Sequence, residues 1–233
     1  MEYSVIVDVY EKIEATTKRL EMTDLLVSLL SKTPKEIIDK VIYLTQGKLY
    51  PDYVGIELGI AEKLAMRALA IASGLSLKEI ENELKKTGDI GIAAELALKK
   101  RRTKTLMEFF GAPVKIQKLT VQTVYETLEK IAKATGEGAQ DTKVKLLVSL
   151  LRRASPKEAK YLLRTVTGKL RLGIADMTIL DALAIAFCKT KEVRPIIERA
   201  YNISSDLGAV AKTLAYEGLE GVKKFKITVG RPI

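Results

Sequence analysis

Two parts of the chain repeat the same series of short motifs in the same order. An apolar hexamer at residues 25–30 recurs at residues 146–151, and a Gln-Gly-Lys-Leu sequence at residues 46–49 recurs as Thr-Gly-Lys-Leu at residues 167–170. Three more pairs follow the same order: 33–36 with 155–158, 70–72 with 184–186, and 88–91 with 205–208. Resemblance between Leu- and Ala-rich helices would explain the hexamers alone, but not the shared order. We therefore predict a duplicated chain.

The distance between the copies drifts along the chain. It is about 121 residues at the first motifs, about 114 at residues 70–72 and about 117 at residues 88–91. Such drift indicates loop insertions, chiefly at residues 50–57, within otherwise matching helical units. We predict two related halves, at about 20–100 and 141–216, within one helical domain of residues 1–222. Residues 223–233 are predicted to be a strand and linker.

Apolar periodicity and capping signals predict an all-α fold of about a dozen helices, in two halves related by a pseudo-twofold axis. Thr33, Pro34 and Glu36 match a capping box with proline at the first helical position, and Ser155, Pro156 and Glu158 repeat it. Only residues 225–229 alternate like a β-strand. Helices are predicted at 5–20, 23–30, 59–73, 76–86, 89–99, 120–134, 142–153, 156–166, 174–188, 191–201 and 206–215.

Composition excludes several classes of function. The chain has no histidine, which removes the commonest general base, the usual catalytic triad and most zinc sites. Cys188 is the only cysteine, so neither an intramolecular disulfide nor a multi-cysteine metal site is expected. No apolar run is long enough to span a bilayer, and no secretory signal is recognisable. We expect a cytoplasmic monomer with no catalytic residues, no metal site and no membrane contact.

The positive charge is concentrated in the second part of the chain. Residues 1–116 contain 18 Lys and Arg against 17 Asp and Glu, whereas residues 117–233 contain 21 against 12. The net charges are therefore +1 and +9, which together give the +10 of the whole chain. Abundant charge in a heat-adapted protein would predict a balance in both parts. The excess instead favours a polyanionic partner, bound through release of counterions.

The glycine-rich loops are the candidate contacts for that partner. Glycine has no Cβ, so backbone N–H groups at a helix start can approach a phosphate, which the helix dipole favours. Lys169 and Arg171 flank one such loop, and Tyr50 stands where the other copy would have the second cation. Asp89 and Asp206 are expected to cap helices, whereas phosphate contact by the N–H groups beside them remains the alternative. The candidate DNA-binding residues are Gly47, Lys48, Gly59, Gly91, Gly168, Lys169, Arg171, Gly173, Ser205 and Gly208.

These features resemble the N-terminal DNA-binding domain of archaeal and eukaryotic ATP-dependent DNA ligases. The resemblance rests on the twofold repeat, on Gly-Lys-Leu-Arg-Leu-Gly-Ile-Ala at residues 168–175 and on Val-Gly-Arg-Pro-Ile at residues 229–233. It covers essentially the whole chain. It implies a nucleoid-associated helical unit that grips nicked duplex DNA through the minor groove and the phosphate backbone.

The resemblance also implies what lies elsewhere in the parent protein. The family forms lysyl-AMP on the lysine of a Lys-x-Asp-Gly motif, and no Asp-Gly pair occurs in this sequence. We therefore expect the nucleotidyltransferase and OB-fold domains, with the ATP and Mg²⁺ that they use, to lie outside these residues. No cofactor is expected in this chain.

Residues 99–113 carry a second candidate site. Leu106, Phe109 and Phe110 have the spacing of the sliding-clamp-binding box of replication proteins, which archaeal ligases carry in this region. Thr103 stands where that box usually has glutamine. The alternative is a hydrophobic helix end packed on its own core. For the whole chain, the alternative to a ligase domain is an α-helical protein-interaction scaffold with an incidental basic face.

Overall fold

The computed structural model describes residues 1–100 and 117–227, and these residues fold into α-helices joined by short loops. The all-α prediction is confirmed. Short 3₁₀ turns lie at Lys35–Ile37 and Asp52–Val54. The described α-helices are α1 (Tyr3–Glu14), α2 (Arg19–Lys32), α3 (Ile38–Thr45), α4 (Glu62–Ser73), α5 (Leu77–Thr87), α6 (Ile90–Lys99), α7 (Val121–Lys133), α8 (Ala139–Arg153), α9 (Pro156–Val166), α10 (Asp176–Cys188), α11 (Arg194–Ser204) and α12 (Leu207–Lys223).

The chain forms two compact units, and its two main crossings between them follow residues 57 and 170. Of the described residues, the first unit contains Met1, 5–57 and 171–227, and the second contains 2–4 and 58–170 except for 101–116. The first unit therefore holds most of α1 with α2, α3, α10, α11 and α12, and the second holds α4 to α9. Each unit combines helices from both of the sequence halves predicted above.

The helices pack in the same order within each unit. In the first unit α2 packs against α10, and α3 packs against α12. In the second unit α8 packs against α4, and α9 packs against α6. The apolar face of a helix in one sequence half is thus buried by a helix from the other half, since an amphipathic helix must cover that face.

The predicted first two helices were wrong in their boundaries. Ile6, Tyr10 and Ile13 form the buried face of α1 at i, i+4 and i+7, whereas Leu20 is 70% exposed. The helix ends at Glu14, and α2 begins at Arg19. Thr23, the first residue of the predicted second helix, therefore lies inside α2. Its hydroxyl donates to the carbonyl oxygen of Arg19 at 2.9 Å, which is the usual bond of a threonine within a helix.

The two predicted capping boxes had different outcomes. Ser155 caps α9 as predicted, because its hydroxyl accepts from Glu158 N while its own N–H donates to the Glu158 carboxylate. At the earlier copy the prediction was wrong. Thr33 donates its hydroxyl to the carbonyl oxygen of Leu29 at 2.8 Å, and no side chain caps the following 3₁₀ turn or α3. The chain then makes a 3₁₀ turn before α3.

The last helix, α12, is longer than predicted and is broken near its end. Gly218 has φ 66° and ψ −162°, a conformation that only glycine adopts readily. Residues 225–227 follow the helix without forming a strand, and the rest of the predicted strand lies outside the described residues. The candidate clamp residues Thr103, Leu106, Phe109 and Phe110 also lie outside them. Over the described ranges, no helix is both long and apolar enough to cross a membrane.

Candidate nucleic-acid interface

Gly47 and Gly168 end helices α3 and α9 with the same hydrogen-bond pattern. Both adopt left-handed backbone, with φ of 73° and 66°. The N–H of Lys48 donates to the carbonyl of Tyr43 at 2.9 Å, and that of Lys169 donates to the carbonyl of Arg164 at 2.7 Å. This is the Schellman arrangement that satisfies the last carbonyls of a helix.

The position of these two glycines corrects the expectation of a helix start. Gly47 and Gly168 follow helices, so the positive end of a helix dipole does not face them. Gly59 and Gly173 do precede helices, because α4 begins at Glu62 and α10 begins at Asp176. An added Cβ at either of these would meet no atom within 4 Å, so both backbones are open to approach. Only Gly173, at φ +69°, also needs glycine for its conformation.

Both loop lysines contact carboxylates within their own units. Lys48 Nζ lies 3.2 Å from Asp52 Oδ1 in the first unit, and Lys169 Nζ pairs with Glu62 in the second. Asp52 is 90% exposed and Glu62 is 38% exposed. Exposed ion pairs contribute little to stability. A phosphate oxygen can therefore replace either carboxylate at small cost.

The predicted caps Asp89 and Asp206 are confirmed. Asp89 accepts the N–H of Ile92 at 2.9 Å at the start of α6, and Asp206 accepts that of Ala209 at 2.8 Å at the start of α12. Burial tends to raise the pKa of Asp89, but hydrogen bonds from Arg164 and Ile92 outweigh it, so this pKa lies below its usual value.

Two residues that the sequence analysis did not single out join these caps to the helices that end at Gly47 and Gly168. In the first unit Tyr43 donates its hydroxyl to Asp206 Oδ1 at 2.6 Å. In the second unit Arg164 donates from Nε to both Asp89 oxygens at 3.1 Å. Each donor stands four residues before the glycine that ends its helix, at Gly47 and Gly168. This shared spacing within the repeat is the sequence signal that could have identified the two donors.

Gly91 and Gly208 are explained by packing within their own units. A Cβ on Gly208 would lie 2.3 Å from Cζ of Tyr43, and one on Gly91 would lie 2.6 Å from the carbonyl oxygen of Lys160. Neither position leaves room for a side chain. Ser205, which ends α11 just before that cap, is half-buried with φ 50°. Phosphate contact at these three residues stays a prediction.

The first unit also places a second carboxylate near its loop. Asp176 accepts from Gln46 Nε2 at 2.9 Å and from the Tyr201 hydroxyl at 2.7 Å. Burial, and then the neighbouring Asp176, raises the pKa of Tyr201, so the hydroxyl stays a donor. Arg171 is exposed in this unit, whereas Gly168 and Lys169 belong to the second.

The charge of the two units is unequal. Among the described residues, the first unit contains 16 Lys and Arg and 16 Asp and Glu, for a net charge of zero. The second contains 18 Lys and Arg and 12 Asp and Glu, for a net charge of +6. The positive excess seen in the second part of the sequence is therefore carried by the second compact unit, to which α4 to α6 of the first half contribute.

In the part of the chain that the structure describes, no group of three or more Cys, Asp or Glu side chains is placed to hold a metal ion.

A family profile described as "DNA ligase N terminus" matches residues 2–184. The chain belongs to the DNA ligase N-terminus family.

Relatives within this family align along the chain. "DNA ligase 2" of Thermofilum pendens is 62% identical over 99% of the chain, and "DNA ligase" of Nitrosopumilus maritimus is 52% identical over all of it. "Probable DNA ligase" of Aquifex aeolicus is 49% identical. The chain spans 38% of the length of each of these three relatives.

Proposed function

We propose that this chain is the DNA-binding part of an ATP-dependent DNA ligase. In this role it grips nicked duplex DNA through the phosphate backbone and the minor groove, while other parts of the parent protein seal the nick. The family match supports the ligase assignment. The observation that carries the DNA-binding role is the second unit, which has a net charge of +6 and contains the loop of Gly168 and Lys169.

Each unit contributes one anchored loop to the proposed grip. Tyr43 and Arg164 fix the ends of α3 and α9 to capped helix starts, so the loops that follow are held in place before DNA binds. A preorganised loop loses less conformational freedom on binding. Contacts of this kind follow the sugar-phosphate backbone and carry no sequence information, as sealing of nicks in any sequence requires.

The chemical step belongs to other residues of the parent enzyme. In this proposal ATP and Mg²⁺ serve the transfer of AMP in those other residues, since this sequence has no Asp-Gly pair for the reactive lysine motif of the family. The contribution of this chain is to bind and orient DNA.

The binding loop is tested by changing Lys169 and Arg171 to alanine. Loss of two phosphate contacts reduces the slope of log K against log salt by roughly 0.9 for each contact. The matched control changes Lys223 and Lys226, exposed cations of the first unit, to alanine. An unchanged slope in the loop variant, with a duplex that still binds, would remove these two residues from the interface.

The different-class alternative, a protein-interaction scaffold, is not favoured by the family match. A sliding clamp remains a proposed additional partner, on the sequence spacing of Leu106, Phe109 and Phe110. Changing both phenylalanines to alanine should abolish clamp binding and leave DNA binding intact. Clamp binding that survives the double change would refute this site. The monomeric state stays a prediction, which sedimentation of the free protein tests.

A further inference from the structure

Three exposed lysines lie beside the anchored loop of the second unit. Lys63 is the second residue of α4, and Lys85 and Lys86 are in the last turn of α5, just before Gly88 and the cap Asp89. All three side chains are exposed. None of the three lysines belongs to a motif that the two sequence halves share.

Contacts within the second unit bring these helix ends together. Glu62, next to Lys63 in sequence, pairs with Lys169. The N–H of Ile60 donates to the carbonyl of Val166 at 2.8 Å, which joins the segment before α4 to the end of α9. Arg164 on α9 reaches Asp89, three residues after Lys86. The starts of α4 and α6 and the ends of α5 and α9 therefore share one end of this unit.

The corresponding positions of the first unit carry no cation. The shared motifs align Lys63 with Met177, and they align Lys85 and Lys86 with Asn202 and Ile203. Hydrogen bonds support this register, because Thr87 and Ser204 each donate to the carbonyl four residues earlier. Each of these hydroxyls also accepts the N–H of the cap aspartate two residues on.

The two loop-bearing ends consequently differ in charge. The second-unit end has five cations and two carboxylates, a net of +3: Lys63, Lys85, Lys86, Arg164 and Lys169 against Glu62 and Asp89. The first-unit end has two cations and three carboxylates, a net of −1: Lys48 and Arg171 against Asp52, Asp176 and Asp206. Only the second-unit end attracts phosphate by its local charge.

Helix electrostatics separate Lys63 from an ordinary surface lysine. Lys85 and Lys86 stand in a last turn, where the helix dipole itself favours a cation. Lys63 stands in a first turn, where the helix dipole disfavours a cation, so its charge does not stabilise its own helix. A ligand that carries negative charge gives this position a role.

We propose that Lys63, Lys85 and Lys86 bind phosphates of the DNA backbone beside the Gly168–Lys169 loop, and that the second unit holds DNA more strongly than the first. This inference rests on the proposed DNA-binding function. It extends the interface to helix ends that belong to the other half of the sequence repeat.

The test compares two triple variants of the full chain that remove the same charge. The first carries Lys63→Gln, Lys85→Gln and Lys86→Gln. The control carries Lys78→Gln, Lys130→Gln and Lys145→Gln, which are exposed lysines of the same unit. Binding to a nicked duplex is measured across salt concentrations. The first variant should lower the salt slope by about 2.7, and the control by less than about 1.

Two outcomes distinguish this inference from the proposed function. Equal slopes for both triple variants, with tight binding by the unchanged protein, would overturn the three contacts and leave the DNA-binding role intact. No binding by the unchanged protein would instead remove the proposed function. The single change Lys63→Gln adds a separate readout, because it should weaken DNA binding while leaving the thermal midpoint equal or higher. A lowered midpoint with unchanged binding would assign Lys63 a structural role.

Discussion

Tyr43 donates its hydroxyl to the carboxylate of Asp206, with 2.6 Å between the two oxygens and 163 positions between the residues. Arg164 and Asp89 make the corresponding contact in the second unit. In both units a residue in the last turn of one helix is thereby fixed to the cap that begins another. The neutral donor leaves the carboxylate charge in place, whereas the cationic donor neutralises it. This exchange supplies one of the six charges by which the two units differ.

Changing Tyr43 to phenylalanine removes one hydrogen bond and leaves the ring in place. A hydrogen bond to a charged group contributes about 1.5–3 kcal/mol, so the free energy of unfolding should fall by about that amount. Urea denaturation measures the change. Tyr216→Phe is the control, because Tyr216 is 52% exposed on α12. Equal stabilities for the two variants would show that the Asp206 contact is unimportant.

Changing Gly208 to alanine places a Cβ against the Tyr43 ring, at 2.3 Å in the unrelaxed structure. Overpacking of this kind costs about 1–3 kcal/mol. Gly59→Ala is the matched control, since its Cβ would meet nothing within 4 Å. The cost should shrink in a Tyr43→Ala background, because the clashing ring is gone. A constant cost in both backgrounds would contradict the packing account.

The charge of Asp89 predicts a pH-dependent stability. Its pKa is lowered in the folded protein, so its charge adds stability above the unfolded value of 3.8, and this stability is lost as the pH falls through the folded pKa. Asp89→Asn keeps a capping side chain but lacks the charge. The variant should be less stable than the unchanged protein at neutral pH, and the difference should shrink in acid. Denaturation at several pH values tests this, and a difference independent of pH would contradict it.

Much of the helical fold followed from local signals. Helix α9 has the predicted boundaries because Ser155, Pro156 and Glu158 supply a complete start signal. The caps at Asp89 and Asp206 were also recognisable, since each stands before a new apolar period.

The remaining features depend on contacts that local periodicity does not encode. Tyr43 and Arg164 act across pairs of helices that are far apart in sequence, so neither stands out within its own helix. The assignment of α4 to α6 to the same unit as α7 to α9 likewise depends on which apolar faces meet. Thr33 shows the limit of local signals. Its hydroxyl could cap the following turn or bond to the preceding helix, and it donates to Leu29 of the preceding helix.

Each unit has an ion pair between its packed helices, and the helix that carries the cation in one unit corresponds to the helix that carries the carboxylate in the other. Arg19 lies 3.0 Å from Asp181 where α2 packs against α10, and Asp141 lies 3.0 Å from Arg67 where α8 packs against α4. Pairing α2 with α4 of its own sequence half would place Arg19 opposite Arg67. The exchanged charges therefore favour the observed pairing between halves.

The exchanged pair predicts a rescue. Arg67→Asp creates a repulsive contact with Asp141 and should lower the free energy of unfolding by up to about 1 kcal/mol, because both groups are exposed. Adding Asp141→Arg restores an attractive pair and should recover most of that loss. Chemical denaturation of the single and double variants gives the comparison. A double variant no more stable than the single one would show that the pair has no influence.

The most direct measurement is binding of the unchanged protein to a nicked DNA duplex across salt concentrations from about 50 to 200 mM. The account predicts binding at low salt, with log K falling linearly against log salt and a slope of several units. Absence of binding at low salt, or a slope near zero, would contradict a DNA grip made through phosphate contacts.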